Sequence, residues 1–311
     1  MPRCPLTYEE LKEGLYSTTG IRGLNIRLSM LQPLDYTKES LLEEAAARSG
    51  KISLEGVQPK LSAMLSVPDQ RFILTDKNGE YILKPQQSLY AELPENEDLS
   101  MRLASSAGVD VPQHGLIYDK TGTLHYFIKR FDRLKRDQKY PVEDFAQLSG
   151  KNRNTKYDSS MEKAAGIVEQ YCTFPAIEKV KLFRLTLFNF LIGNEDMHLK
   201  NYSLLTKNTI TTLSPAYDLL NTSIILKNTE EETALPLRGK KQNLIRKDMV
   251  EYWGAERLGL NKKTIELVLE RLMKSSLLWE NEIANSFLSE QRKESYWELV
   301  NIRMKRLWFR G

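Results

Sequence analysis

The stretch GNEDMHLKN, residues 193–201, brings together side chains that bind metal ions and accept protons. Asp196 is followed five positions later by Asn201, and Asp218 comes 17 residues after that, within LSPAYDLL. A carboxylate can orient a hydroxyl group and take its proton, and carboxylate and amide oxygens suit Mg²⁺. These residues therefore indicate a site at which a metal-bound phosphate meets a hydroxyl group.

The elements on either side of this stretch have an order that suits such chemistry. The strand-like runs YSLLT and TITTLSP lie between Asn201 and Asp218. Protein kinases carry an Asp and an Asn at this spacing on one loop and a second metal-binding Asp after a short hairpin. The pattern therefore favours a phosphotransferase. Before the loop, apolar residues recur at intervals of three and four, which predicts a helix with one buried stripe: Ile177, Val180, Phe183, Leu187, Phe188 and Leu191.

Other interpretations of these residues remain open. In one of them the run 194–196 is simply an exposed helix end, and Asp218 is the N-cap of a following helix. His198 is expected to pack or to orient the loop rather than to bind a metal. Lys200 has two possible destinations, a phosphate group or solvent.

The strand-rich half of the chain should supply a lysine for the ATP phosphates and a loop that covers them. Lys84 closes the strand-like run EYILK, as the strand lysine of kinases does; it could equally be an edge-strand lysine that discourages aggregation. Glu97, in NEDLSMRLASSAG, is the candidate partner of Lys84 or an exposed helix glutamate. The candidate loop, ISLEGVQPKLSAML, has Gly56 but lacks the G-x-G-x-x-G signature.

Composition excludes several classes of protein. The 311 residues are 41% hydrophobic with a net charge of +4, which is typical of a globular protein and makes no demand for nucleic acid. No run of apolar residues is long enough to span a membrane, and the N-terminus lacks the pattern of a signal peptide. Cys4 and Cys172 stand alone, so we expect a reducing, cytoplasmic location without a disulfide framework.

Local signals predict the remaining elements. FILTDKNGEYILKP is expected to form a β-hairpin through Asn78-Gly79, and LIYDKTGTLHYFIKRFDR a second hairpin through residues 120–122. Thr7 and Glu10 have the spacing of a capping box at a helix start. The runs ESLLEEAAARSG and NEDLSMRLASSAG are predicted to be helical, and helices predominate after residue 247.

The predicted fold is α+β and bilobal, like that of protein kinases. Its expected parts are an N-terminal segment, 1–48, that packs on the small lobe, a β-rich nucleotide-binding lobe, 49–135, and a helical catalytic lobe, 136–311.

Six motifs in this order closely resemble those of the HipA-like serine/threonine kinases of bacterial toxin–antitoxin modules: GVQPKLSAML, YILKP, NEDLSMRLASSAGVDVP, FIKRFDR, GNEDMHLKN and SPAYDLLNT. The resemblance continues through ALPLRGKKQNL. HipA-type kinases carry a longer N-terminal domain before their serine loop, so this chain resembles the compact HipT type. In that type, a separate small protein resembles the missing domain.

The resemblance implies a role for each matching residue. Asp196 would be the catalytic base, and Asn201 and Asp218 would bind Mg²⁺. Lys84 would hold the ATP phosphates, and Glu97 would position that lysine.

Two further segments acquire roles in the same way. The backbone of Lys129, Arg130 and Phe131 would bind adenine, and Gly56, Val57 and Gln58, followed by Lys60, would cover the phosphates. Ser53 matches a serine that these kinases autophosphorylate. Compact members can carry a second serine just before the glycine, but Glu55 occupies that position here.

The function implied is phosphorylation of a serine or threonine on a protein substrate, with an aminoacyl-tRNA synthetase as that substrate and translation arrest as the result. The expected partners are a small operon-encoded antitoxin and a helix-turn-helix DNA-binding protein, so that any contact with DNA is indirect and none is made with a membrane. Two alternatives from other classes are a small-molecule phosphotransferase and a catalytically silent pseudokinase scaffold.

Overall fold

The computed structural model describes residues 1–49, 58–135, 138–226 and 230–308. The chain divides into two compact units. The β-rich unit contains Met1–Leu99, Pro112–Lys139 and Asn285–Leu288; the helical unit contains Ser100–Val111, Tyr140–Ala284 and Ser289–Gly311. Within the described ranges, no helix is long and apolar enough to cross a membrane.

The β-rich unit is built on an antiparallel sheet of five strands in the order β2-β1-β3-β5-β4. Its hydrophobic core joins residues of the sheet, such as Leu83 and Phe127, to residues of the N-terminal segment, such as Leu34 and Leu41. Two short strands form a separate ribbon. The strands are β1 (Leu61–Ser66), β2 (Arg71–Leu74), β3 (Tyr81–Lys84), β4 (His114–Tyr118), β5 (Leu124–Lys129) and the ribbon strands β6 (Arg133–Lys135) and β7 (Gln138–Lys139).

The first predicted hairpin is wrong in its pairing. β2 and β3 exist, but β1 lies between them and pairs with both. The connection through Gly79 therefore runs past β1 instead of turning tightly. A Cβ atom on Gly79 would lie 2.0 Å from the Ser62 Oγ and 3.0 Å from the Ala63 carbonyl oxygen, so the glycine serves this close approach. The second hairpin, between β4 and β5, is confirmed, with Gly122 at a φ of +85° in its turn.

The predicted helix start at Thr7 is also wrong. Tyr8 has a φ of +62°, and the Glu10 carboxylate accepts a hydrogen bond from the Arg3 guanidinium at 3.2 Å instead of reaching back to Thr7. The first helix begins later, where the Ser17 hydroxyl accepts a hydrogen bond from the Gly20 N–H at 3.0 Å. The helices of this half of the chain are α1 (Thr18–Leu24), α2 (Lys38–Ser49) and α3 (Leu93–Ser106), of which the last passes from the β-rich to the helical unit after Leu99.

The helical unit also contains a small sheet of three antiparallel strands in the order β10-β9-β8. β9 and β10 are the strand pair that was predicted between Asn201 and Asp218. The elements of this unit are β8 (Val142–Asp144), α4 (Phe145–Leu148), α5 (Met161–Tyr171), α6 (Pro175–Ile192), a 3₁₀ turn (Leu199–Asn201), β9 (Ser203–Lys207), β10 (Ile210–Leu213), a π-helix (Lys247–Arg257), α7 (Lys262–Ala284) and α8 (Glu290–Trp308).

Helix α6, which delivers the chain to GNEDMHLKN, is buried differently from the prediction. Ile177 is exposed, whereas Glu178 beside it is buried and accepts a hydrogen bond from the Leu213 N–H at 2.9 Å. The last turns of the helix are buried on all sides, Thr186 and Asn189 included. A helix that is buried all round is a core element, so the loop after it starts from a rigid support.

Candidate active site

The loop at 193–201 begins with a sharp turn at the end of α6. Gly193 has a φ of +76°, and a Cβ atom there would lie 2.3 Å from the Leu299 Cδ2. The Asn194 side-chain amide then donates to the Asn189 Oδ1 at 2.9 Å, which ties the loop back to the helix. Glycine is therefore required both for the left-handed backbone and for the space.

Asp196 and Asn201 are brought together by hydrogen bonds within the loop. The Asn201 Nδ2 donates to the Asp196 carbonyl oxygen at 2.9 Å, and the His198 N–H donates to the same oxygen at 2.8 Å. The Asp196 N–H donates to the Asn194 Oδ1 at 3.2 Å. The amide nitrogen of Asn201 is thus used inside the loop, which leaves its Oδ1 as the atom suited to a metal ion.

Asp218 lies in a segment that is hydrogen-bonded to this loop on both sides of the aspartate. The Tyr217 hydroxyl donates to the Lys200 carbonyl oxygen at 3.1 Å, and the Thr222 Oγ1 accepts from the Glu195 N–H at 2.7 Å. Asp218 itself has a φ of +54°, a conformation that non-glycine residues seldom adopt. Residues 219–226, which follow it directly, form no helix, so the interpretation as a helix N-cap is wrong.

The carboxylate of Asp196 is held by a residue that the sequence did not single out. The Tyr157 hydroxyl donates a hydrogen bond to the Asp196 Oδ1. Burial and this hydrogen bond raise the pKa of Tyr157, so the phenol remains a donor. The neighbouring Lys156 Nζ lies 2.7 Å from the His198 Nε2, and burial lowers the pKa of His198. His198 is therefore a packed, loop-orienting residue, as predicted.

Glu195 is buried at the start of the loop and pairs with an arginine from the last helix. The Arg303 Nη2 lies 3.1 Å from the Glu195 Oε1, and the Arg303 Nη1 donates to the Phe190 carbonyl oxygen at 2.8 Å. The Ser223 hydroxyl also donates to Glu195, at 2.5 Å. The interpretation of residues 194–196 as an exposed helix end is therefore wrong.

Lys200 is engaged in a contact that neither sequence interpretation included. Its Nζ lies 2.8 Å from the Asp144 Oδ2, and Asp144 also caps α4. The ammonium group is partly exposed, so it is not confined to this partner. Its role at a phosphate stays a prediction.

In the β-rich unit, Lys84 and Glu97 form a buried ion pair. The Lys84 Nζ lies 2.5 Å from the Glu97 Oε1, and the two side chains are 2% and 0% exposed. β3 is an inner strand of the sheet, between β1 and β5, so the interpretation of Lys84 as an edge-strand lysine is wrong. Glu97 is likewise no exposed helix glutamate. Two charges buried this deeply depend on each other, because loss of either would leave the other without compensation.

The segment predicted to bind adenine leaves β5. The Lys129 N–H donates to the Gln113 carbonyl oxygen at 2.7 Å, and the Arg130 N–H to the Glu80 carbonyl oxygen at 2.8 Å. These two backbone donors are therefore used within the unit, and Phe131 follows as a half-buried residue. Gln58 is half-buried before β1, whereas Ser53, Gly56 and Val57 lie outside the described residues.

The oxygen donors of the helical unit fit Mg²⁺. Asn201 Oδ1 and the Asp218 carboxylate are hard ligands, and Mg²⁺ typically takes one or two carboxylates and completes its shell with water and phosphate oxygens. Among the described residues there is no group of three or more His, Cys, Asp or Glu side chains that could bind a metal alone. A phosphate-bearing substrate would therefore share such an ion with these two residues.

Tyr157 and Arg303 are the site residues that the sequence motifs did not reveal. Tyr157 precedes Asp196 by 39 positions, and Arg303 follows Glu195 by 108 positions. No local spacing signal links residues so far apart. Arg303 lies in the basic stretch IRMKRLWFR, which none of the six motifs includes.

Comparisons with known proteins identify the family of the chain. The family model for the HipA-like C-terminal domain matches residues 52–278. A protein of Haemophilus influenzae named "Putative kinase" is 30% identical over an alignment of 293 residues that covers 84% of this chain and 82% of that protein. The "Serine/threonine-protein kinase toxin HipA" of Shewanella oneidensis is 25% identical over an alignment of 207 residues that covers 60% of this chain and 47% of the relative.

A solved structure supports the fold. The complex of Shewanella oneidensis HipA with HipB and operator DNA contains a chain that matches this one with a TM-score of 0.70 at 20% identity, covering 90% of this chain and 72% of that one. The predicted protein-kinase-like α+β fold is confirmed by this match. Since the family model covers well over half of the sequence, the chain belongs to the family of the HipA-like C-terminal domain.

Proposed function

We propose that this chain is a serine/threonine protein kinase that acts as the toxin of a bacterial toxin–antitoxin system. The observation that carries the proposal is the closed loop in which the Asn201 Nδ2 donates to the Asp196 carbonyl oxygen at 2.9 Å. That hydrogen bond sets a carboxylate and an amide oxygen on one rigid loop, next to the segment of Asp218. Transfer of a phosphate to a hydroxyl group needs a carboxylate that orients the hydroxyl and oxygen ligands that hold the metal ion.

The chemistry assigned to the helical unit is phosphoryl transfer from ATP. The substrate hydroxyl oxygen forms a bond to the γ-phosphorus, the bond from that phosphorus to the bridging oxygen breaks, and ADP leaves. Asp196 orients the hydroxyl and takes its proton. Asn201 and Asp218 hold Mg²⁺, which when bound offsets charge on the phosphate groups.

The β-rich unit is proposed to bind the nucleotide. Lys84, held by Glu97 at 2.5 Å, supplies a fixed positive charge for phosphate oxygens. The adenine would lie against the backbone at Lys129 and Phe131, and Gly56, Val57 and Gln58 would cover the phosphates. Lys200 would reach the transferred phosphate if it left Asp144, which its exposure permits.

Partners and regulation follow from the family. We assign the chain to the compact HipT type, with an aminoacyl-tRNA synthetase as substrate, autophosphorylation at Ser53, and a cytoplasmic location. The proposed antitoxins are a small operon-encoded protein and a helix-turn-helix DNA-binding protein, through which any contact with DNA is made. The proposed DNA-binding partner is supported by the Shewanella HipA neighbour, whose structure also contains HipB and operator DNA.

The test is incubation of the purified chain with Mg²⁺, labelled ATP and a cell extract, beside an Asp196→Asn variant. We expect a labelled protein band that is weaker with the variant by about 10²–10⁴-fold, the usual contribution of a positioned base. A labelled metabolite would indicate a small-molecule phosphotransferase, and the absence of any label would indicate a pseudokinase. Mass spectrometry of the same samples should find phosphate on Ser53 of the wild type and not of the variant.

A further inference from the structure

The carboxylate of Asp196 is fixed by a group from outside the loop. The hydrogen bonds to the Asp196 N–H and carbonyl oxygen hold its backbone, but they leave the side chain able to rotate. In the part of the chain that the structure describes, the hydrogen bond to the carboxylate itself comes from the Tyr157 hydroxyl, which donates to Oδ1. The direction of the second oxygen, Oδ2, therefore depends on Tyr157.

Tyr157 is itself held in place by the loop that it contacts. Its ring packs edge-on against the His198 imidazole, with centroids 5.1 Å apart and planes at 83°. The Lys156 Nζ lies 4.9 Å from the centroid of the Tyr157 ring and 2.7 Å from the His198 Nε2. The Leu199 N–H donates to the Lys156 carbonyl oxygen at 3.3 Å. These contacts define the place of the phenol oxygen before any substrate binds.

We propose that Tyr157 is a positioning residue for phosphoryl transfer, which holds the Asp196 Oδ1 so that Oδ2 faces the hydroxyl group of the substrate. The inference rests on the proposed kinase function and adds a residue to it. A carboxylate has two oxygens with about four lone-pair sites, so a donor on one oxygen leaves the other able to accept a proton. Orientation of this kind matters because small displacements of a catalytic group cost much of its rate.

A different role for the same contact would have the opposite consequence. If the phenol occupied the place of the substrate hydroxyl, it would have to leave before each reaction, and its removal would increase the rate. The partial exposure of Tyr157, 41%, does not distinguish these roles. The two roles are distinguished by whether kcat falls or rises when the hydroxyl is removed.

The experiment is a kinetic comparison of Tyr157→Phe with the wild type, using a protein substrate identified by labelling. Phenylalanine keeps the ring that packs on His198 and removes only the hydroxyl. We expect kcat to fall by about 10- to 100-fold because the carboxylate is no longer held. The KM for ATP and the calorimetric affinity for Mg-ATP should stay within about twofold, because the orientation of Asp196 affects the transfer step and not the residues assigned to Mg-ATP.

Tyr171→Phe is the matched control, since this tyrosine lies in the same unit at the end of α5 and is 40% exposed. It should leave kcat unchanged. Lys156→Met is the second variant and should lower kcat less than Tyr157→Phe, because it loosens the phenol without removing it. Melting temperatures of all variants show whether the fold is kept.

Each outcome decides something. A Tyr157→Phe protein with wild-type kcat overturns the positioning role but leaves the kinase proposal intact, and one with a higher kcat shows that the phenol obstructs the substrate. A fall in kcat accompanied by an equal fall in Mg-ATP affinity shows that Tyr157 supports nucleotide binding instead. An inactive wild type overturns the kinase proposal and this inference together.

Discussion

Replacing Arg303 with Met should destabilise the helical unit by an amount that the structure allows us to estimate. Arg303 and Glu195 are 4% and 6% exposed, so both charges have left water. Loss of one partner of a buried ion pair costs about 3–5 kcal/mol, because the remaining charge is left without compensation. The Phe190 carbonyl oxygen also loses its 2.8 Å hydrogen bond from Arg303, which adds to the cost.

A double variant separates the two contributions. In Arg303→Met with Glu195→Gln both charges are gone, and we expect it to be more stable than Arg303→Met alone, with a coupling energy of about 0.5–3 kcal/mol. The control is Lys293→Met on the same helix. Lys293 pairs with an exposed Glu290 at 2.8 Å, so its loss should cost less than about 1 kcal/mol.

Urea unfolding followed by tryptophan fluorescence measures these changes in the intended unit. All four tryptophans, at positions 253, 279, 297 and 308, belong to the helical unit. Trp253 and Trp279 are fully buried, so their emission should shift on unfolding. The reasoning is refuted if Arg303→Met loses no more stability than Lys293→Met, or if the double variant is as unstable as the sum of its single changes.

Three further changes test other features. Gly193→Ala should destabilise the helical unit by more than about 1 kcal/mol in urea unfolding and lower kinase activity, because the new Cβ meets both an unfavourable backbone and crowded space. Gly259→Ala, with a similar φ of +67° but open space around it, should show only the cost of the backbone strain. Glu97→Gln should weaken Mg-ATP binding by about 10- to 100-fold in calorimetry, because it removes the charge that holds Lys84. Burial lowers the pKa of His125, so the unfolded chain binds a proton more readily than the folded chain does. The free energy of unfolding should therefore decrease below about pH 6.5, by up to ~1.4 kcal/mol per pH unit. Urea unfolding followed by circular dichroism should show a smaller slope for His125→Gln.

For each of these three changes, a different result would contradict the reasoning. Equal losses for the two glycine variants would mean that the crowding at residue 193 is relieved by movement of its neighbours. Unchanged Mg-ATP affinity in Glu97→Gln would show that Lys84 needs no carboxylate to stay in place. A stability that rises on acidification, or an unaltered slope in His125→Gln, would show that another group controls the dependence on pH.

Much of the candidate site could be predicted because its chemistry is local in the sequence. Asp196 and Asn201 are five positions apart, so a single loop can bring them together, and that loop is closed by a hydrogen bond between them. The two strands before Asp218 were also readable from short β-rich runs. Their pairing is between neighbours in the chain, which turn signals predict well.

Local signals failed where another partner in the folded chain took the expected interaction. Asn78-Gly79 has the composition of a hairpin turn, but β1 pairs with both β2 and β3 and separates them. Thr7 and Glu10 have the spacing of a capping box, but Glu10 pairs with Arg3. In each case the residue types satisfied a local rule, and a competing partner in the folded chain took the interaction.

The sequence by itself determined the kinds of chemistry available, since the motif residues and their order indicate a carboxylate base, oxygen ligands for Mg²⁺ and a lysine for phosphates. Only the tertiary structure decided how these groups are held: the burial of Lys84 with Glu97, the phenol of Tyr157 on Asp196, and the guanidinium of Arg303 on Glu195. The physical reason is that these contacts join distant parts of the chain. Each contact forms only where attraction and packing in the folded state offset the cost of desolvating its polar groups, and no local propensity or spacing encodes that balance.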